Sequence, residues 1–193
     1  MVTQRDTVEH ILNVADSLMR TRGYNAFSYA DIAEQVGIRK ASIHYYFPSK
    51  SDLAERVCAR YRAAAGVALA QIDQDLSNPR EKLERYIELV GTGAEEQPPM
   101  CLCALLAAEY PTLPDPVRRE VSGFLTDQEE WLTRVLADGE AAQVIHLATP
   151  ASVEAQSLRA GLQGAMLAAR ARGDCERYNV VARNLLANLV GEH

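Results

Sequence analysis

Val8, Ile11, Leu12, Ala15, Leu18 and Met19 recur three and four residues apart. A helix gathers all six on one face, and a strand cannot. The same spacing returns along the chain, interrupted by glycine and proline, and no stretch shows the apolar–polar alternation of a half-buried strand. The pattern predicts an all-α protein of about nine helices.

Caps and breakers set the expected boundaries. Thr3 and Asp6 resemble a capping box for the first helix, and Gly23 supplies a left-handed stop. Ser28 caps a second helix, with Asp31 at its positive end and Ile32, Ala33 and Val36 buried. Gly37 ends it, and residues 39–46 form a third helix stopped by Pro48. Ser49 and Asp52 repeat the cap and open a long helix to residue 76, with Leu53, Val57, Tyr61, Ala65, Ala68 and Ile72 inward. "SNPR" starts a fifth helix on Leu83, Ile87 and Val90, and residues 91–99 read as a loop. Further helices are expected at 101–109, 117–137, 151–171 and 175–190, with a proline-rich break at 110–116 and no assignment for 138–150.

At 193 residues the chain buries a core without disulfides or metal. Its hydrophobic fraction of 48% and charged fraction of 24% are those of an ordinary globular protein. No apolar run reaches the ~20 residues of a membrane helix, and the polar start lacks a signal-peptide core. The expected location is cytoplasmic, without a membrane partner. The four cysteines are too few for a disulfide scaffold and are expected as thiols. Charge is uneven: residues 1–62 carry nine Lys or Arg against seven Asp or Glu, while the rest carries eleven against nineteen. The net charge of −6 therefore does not exclude nucleic acid, because the local surface does the binding.

Two short helices about a glycine, the second rich in donors, match the helix-turn-helix pattern, whose second helix enters the major groove. Arg39 and Lys40 open that helix, Ser42 and His44 suit base edges, and Tyr45, Tyr46 and Lys50 suit phosphates. No acidic residue lies between Gly37 and Ser51, and Ile43 and Phe47 face inward. The competing reading is a helical turn in an ordinary bundle with its aromatics in the core.

The stretch "FSYADIAEQVGIRKASIHYYFPSKSDL" resembles the DNA-binding domain of the TetR family of bacterial transcription regulators, over about residues 5–60. The resemblance implies a helix-turn-helix domain at 1–48, joined by a long helix to a ligand-binding and dimerisation bundle at 49–193. It implies a homodimer, by the family's usual mode a repressor, that binds a palindromic duplex operator and is released by a small-molecule effector. The implied DNA-contacting set is Ser28, Tyr29, Arg39, Lys40, Ala41, Ser42, His44, Tyr45, Tyr46 and Lys50. His44 departs from the tyrosine often found there, and Ala41 is small enough to approach bases or a thymine methyl.

The remainder carries three further expectations. Effector contacts are drawn from Tyr61, Tyr86, Cys101, Cys103, Tyr110, Phe124, Gln128 and Trp131, each of which also reads as plain core. Cys101 and Cys103 lack two further ligands at zinc spacing, so no metal or cofactor is expected. They are either buried apolar groups or sensor thiols. Cys101 at a helix start favours the second reading, Glu95 and Glu96 oppose it, and the stretch resembles a TetR subgroup with members that respond to electrophiles or oxidants. The dimer interface is expected at Leu158, Gly161, Leu162, Gly164 and Ala165, with Tyr178, Val181 and Leu185 from the last helix; packing within one subunit is the alternative. No P-loop, dinucleotide fingerprint, nucleophile elbow or metal-binding helix is present, so an enzyme is not expected. A thiol enzyme and a protein-binding helical adaptor are the remote alternatives.

Overall fold

The computed structural model describes residues 4–91 and 100–191. Thr3, most of the expected loop at 91–99, and Glu95 and Glu96 lie outside the described residues. In chain order the helices are α1 (Gln4–Arg22), α2 (Tyr29–Val36), α3 (Lys40–Tyr46), α4 (Lys50–Asp75), α5 (Pro79–Gly91), α6 (Leu102–Ala108), α7 (Asp115–Ala141), α8 (Ala151–Arg172) and α9 (Glu176–Val190). A 3₁₀ turn at Tyr110–Thr112 separates α6 from α7, and no strand occurs among the described residues.

The boundaries follow the capping chemistry. Ser49 and Asp52 bond each other's backbone N–H across the start of α4, at 3.1 and 2.9 Å. Asn78 accepts from the Arg80 N–H and starts α5. The proline-rich break is shorter than expected, because α7 begins at Asp115 and takes Pro116 into its first turn. Proline is tolerated there, where its missing N–H has no helical partner. The unassigned stretch resolves into the last turn of α7 and an irregular return whose His146 N–H donates to the Leu189 carbonyl.

The chain forms two compact units, 1–64 with 102–124 and 65–101 with 125–193. The first unit closes over Ile11, Leu12, Ala15, Met19, Ile32, Ile43, Leu53 and Val57, all essentially without solvent exposure. Burying each large aliphatic side chain contributes about 1.5–3 kcal/mol. The second unit packs α8 against α9 and both against α5. Its core includes Leu83, Leu132, Leu136, Leu158, Leu162 and Tyr178. Trp131 Nε1 and Lys82 Nζ both donate to Asp73, at 2.9 and 2.7 Å. Burial draws the Asp73 carboxyl upward, but these two donors outweigh it and hold the group below the usual carboxylate range.

Candidate nucleic-acid interface

Ser28 is the N-cap of α2 in a complete capping box, and its hydroxyl donates to Asp31 at 2.6 Å. The bonds from Ser28, aided by Arg22, hold the Asp31 carboxyl below its ordinary range. At the other end Gly37 adopts φ 74°, and its N–H returns to the Ala33 carbonyl. This left-handed residue ends α2 in one step, a conformation costly for residues bearing a Cβ. Arg39 then caps α3.

Ile43 and Phe47 are buried and seat α3 on the unit. The opposite surface is left to solvent: Arg39, Lys40, Ala41, His44 and Tyr45 are exposed, while Ser42 and Tyr46 are half-buried. Tyr45 reaches 75% exposure, the most of any large apolar side chain in the described chain. Burying an aromatic ring is strongly favourable in water, so one left this open is available for another surface. Its edge meets the Tyr46 ring, with centroids 5.1 Å apart.

Three of the sequence-derived contacts are committed inside the unit. Tyr29 is buried, and its hydroxyl donates to the Phe47 carbonyl at 2.9 Å. Burial, with a smaller contribution from Asp52, pushes that phenol up to about 12. The Ser28 hydroxyl is engaged in the cap. Lys50 donates to the Phe27 carbonyl and stands 4.7 and 4.2 Å from the centroids of the Tyr24 and Phe27 rings. Burial lowers its ammonium, opposed by Glu109 and Asp31. These partners make Tyr29 and Lys50 supports of the α2–α3 pair.

The expected effector residues divide between the units. Tyr61 and Phe124 lie in the first, with ring centroids 5.1 Å apart and the Arg20 guanidinium over Tyr61. Cys103 is buried there, and the Tyr110 hydroxyl bonds Ser122 at 2.9 Å. The second unit holds Tyr86 stacked on Trp131 at 5.4 Å, with Gln128 buried and Cys101 half-buried. Burial pushes the Tyr86 phenol up to about 12, with Arg159 pulling the other way. A cavity of about 350 Å³ in this unit is lined by Ala68, Gln71, Ile72, Asp75, Leu76, Arg85 and Leu89, and by none of the eight.

Several expected interface residues face inward within the single chain. Leu158, Leu162, Ala165 and Tyr178 are buried, and the Tyr178 hydroxyl donates to the Ile87 carbonyl at 2.8 Å. Gly161 faces Leu185 of α9, whose Cδ1 would lie 2.9 Å from a Cβ at that glycine. Gly164 and Val181 do face solvent. The exposed apolar surface of α8 and α9 also carries Val153, Leu167 and Val180, which the sequence reading missed. The signal was available, since Val153, Ala160, Gly164 and Leu167 follow three–four spacing.

Residues 11–57 match the model of bacterial regulatory proteins of the tetR family, and residues 79–185 match the tetracyclin repressor-like C-terminal domain. The chain belongs to the tetR family. A TetR-family transcriptional regulator from Agrobacterium tumefaciens has a similar structure, with a TM-score of 0.91, 38% identity, and coverage of 97% of this chain and 100% of that one. Among curated relatives, the nucleoid occlusion factor SlmA of Marinobacter nauticus is 25% identical over 156 residues, 81% of this chain and 80% of its own. The transcriptional repressor NemR of Escherichia coli is 24% identical over 171 residues, 87% and 86% of the two chains. As a TetR-family protein the chain is a DNA-binding transcriptional regulator and not an enzyme. No described helix is long and apolar enough to cross a membrane.

Proposed function

We propose that this TetR-family regulator is a cytoplasmic repressor that binds a palindromic operator as a homodimer and is released by a small-molecule effector. The observation that carries the reading is the outer face of α3. Arg39, Lys40, Ala41, His44 and Tyr45 stand in solvent on a helix fixed from behind by Ile43 and Phe47. Cations and hydroxyls on such a face position the protein on phosphates, and the side chains between them read base edges. Residues 1–48 act as the DNA-binding domain and 49–193 as the effector and dimerisation domain. The exposed apolar residues Val153, Leu167, Val180 and Val181, with Gly164, supply the dimer contact. One of the named relatives is a transcriptional repressor, which supports repression without naming an effector.

Selection of bound duplexes from a random pool tests this directly. The expected product is a two-fold repeated half-site, with binding that weakens steeply as salt rises. Failure to enrich any sequence, even at low salt, would leave a protein-binding adaptor as the better account.

A second reading rests on the thiols. Cys101 and Cys175 are half-buried, whereas Cys58 and Cys103 have no solvent exposure. Burial, reinforced by Glu120 and Asp16, pushes the Cys58 thiol up to about 12, which makes it inert. Of the two half-buried thiols, Cys101, next to α6, is the one this reading assigns to an electrophile or oxidant, and Cys175, at the start of α9, is its comparison. Brief alkylation followed by mass spectrometry should label Cys101 ahead of Cys58 and Cys103. Operator release by the same reagent should be lost in Cys101→Ser, and release that persists in this variant removes the thiol reading.

A further inference from the structure

His44 stands on the outer face of α3, and its surroundings decide what its ring presents. The Nδ1 atom lies 3.3 Å from the Pro48 carbonyl oxygen. A carbonyl accepts and never donates, so the contact requires the proton on Nδ1. In the neutral ring this leaves Nε2 as a bare acceptor. The ring is held in that pose from a second side. Tyr29 meets it edge to face, with centroids 4.7 Å apart and planes at 61°. Tyr29 is itself buried and anchored by its hydroxyl on Phe47. His44 nonetheless remains exposed on the outer face of α3.

Phosphate oxygens only accept, so a neutral Nε2 has nothing to offer the DNA backbone. In the major groove its partners are the exocyclic amino groups, N6 of adenine and N4 of cytosine. Resting on the DNA-binding reading above, we propose that His44 is a specificity-determining residue that accepts a hydrogen bond from adenine N6 or cytosine N4 through Nε2. Lys40 lies four residues earlier, on the same side of the helix, and supplies the complementary donor for guanine O6 or N7. Each half-site then contains one position read as an amino donor, set near one read as an acceptor.

The test repeats the random-pool selection in mildly alkaline buffer with the full-length protein, His44→Ala and His44→Arg. Matched helical spectra establish that the variants fold. The wild type should prefer adenine or cytosine over guanine and thymine at one position of each half-site. His44→Ala should lose that preference by about 3- to 10-fold, as for one hydrogen bond, and keep the others. His44→Arg should move the preference to guanine. Unchanged base preferences in His44→Ala would overturn the inference and leave operator binding standing. So would an equal loss across all sequences, since that marks a backbone contact. Absence of any enriched site with the wild type would overturn both readings together.

Discussion

Asn25 donates both its backbone N–H and its side-chain amide to one carboxylate oxygen of Glu109, at 3.1 and 2.9 Å. The residues are 84 positions apart and lie in the same unit. Thr112 completes the clasp, accepting from the Asn25 amide at 2.8 Å and donating to the Glu109 carbonyl at 2.9 Å. The segment after α6 thereby grips the turn that leads into the helix-turn-helix.

Gly23 makes room for this grip. A Cβ there would lie 1.8 Å from Glu109 Oε1, and the backbone has φ 81°. Glu109→Ala should lower unfolding stability by about 1 kcal/mol, below the usual worth of a charged hydrogen bond because water reaches the site. Gly23→Ala should cost about 1–2 kcal/mol from backbone strain, plus the clash. Denaturant titration of the double variant should show a cost smaller than the sum, because the clash disappears with the carboxylate.

Lys50→Ala separates structural from phosphate roles. The ammonium has a carbonyl and two rings as partners, so its removal should cost about 1–2 kcal/mol of stability. The salt slope of operator binding should stay unchanged. A slope reduced by about one would instead make Lys50 a phosphate contact.

Tyr29 and Tyr86 give a defined alkaline response. Burial pushes both phenols up to about 12, while an unfolded tyrosine ionises near 10. Below about 10 both states hold the proton and the stability is complete. As pH rises from there towards 12 the unfolded chain ionises first, so stability falls. Denaturant midpoints measured across this window should decline, and less steeply in Tyr86→Phe.

Two glycines one turn apart on α8 should behave oppositely. Gly161→Leu meets Leu185 within the chain, and overpacking of this kind costs about 1–3 kcal/mol of subunit stability. A Cβ at Gly164 meets nothing within 4 Å, so Gly164→Leu should leave the subunit folded. It should still raise the monomer fraction in sedimentation. Full dimer retention would move the interface away from this face.

Local chemistry accounts for how much was legible in the chain itself. The Ser28–Asp31 box, the left-handed Gly37 and the Ser49–Asp52 cap are contacts over three or four residues, so their spacing declares them. The inward positions of Ile43 and Phe47 follow from helical period in the same way. Their neighbours were harder to place. Lys50 reads as one more exposed cation until Tyr24 and Phe27, more than twenty residues earlier, fold over its stem.

Sequence alone determined the helices, most of their ends and the side of α3 that faces outward, because these depend on neighbours within one or two turns; both ends of α7 were the exception. Only the tertiary structure decided which polar groups were consumed by partners distant in the chain. The Glu109–Asn25 clasp, the Tyr178 bond to Ile87 and the inward turn of Leu158 and Leu162 all depend on which helices meet. Periodicity marks a helix face as apolar but does not specify what covers it. That choice is made by packing between helices, through contacts with no fixed separation in the chain.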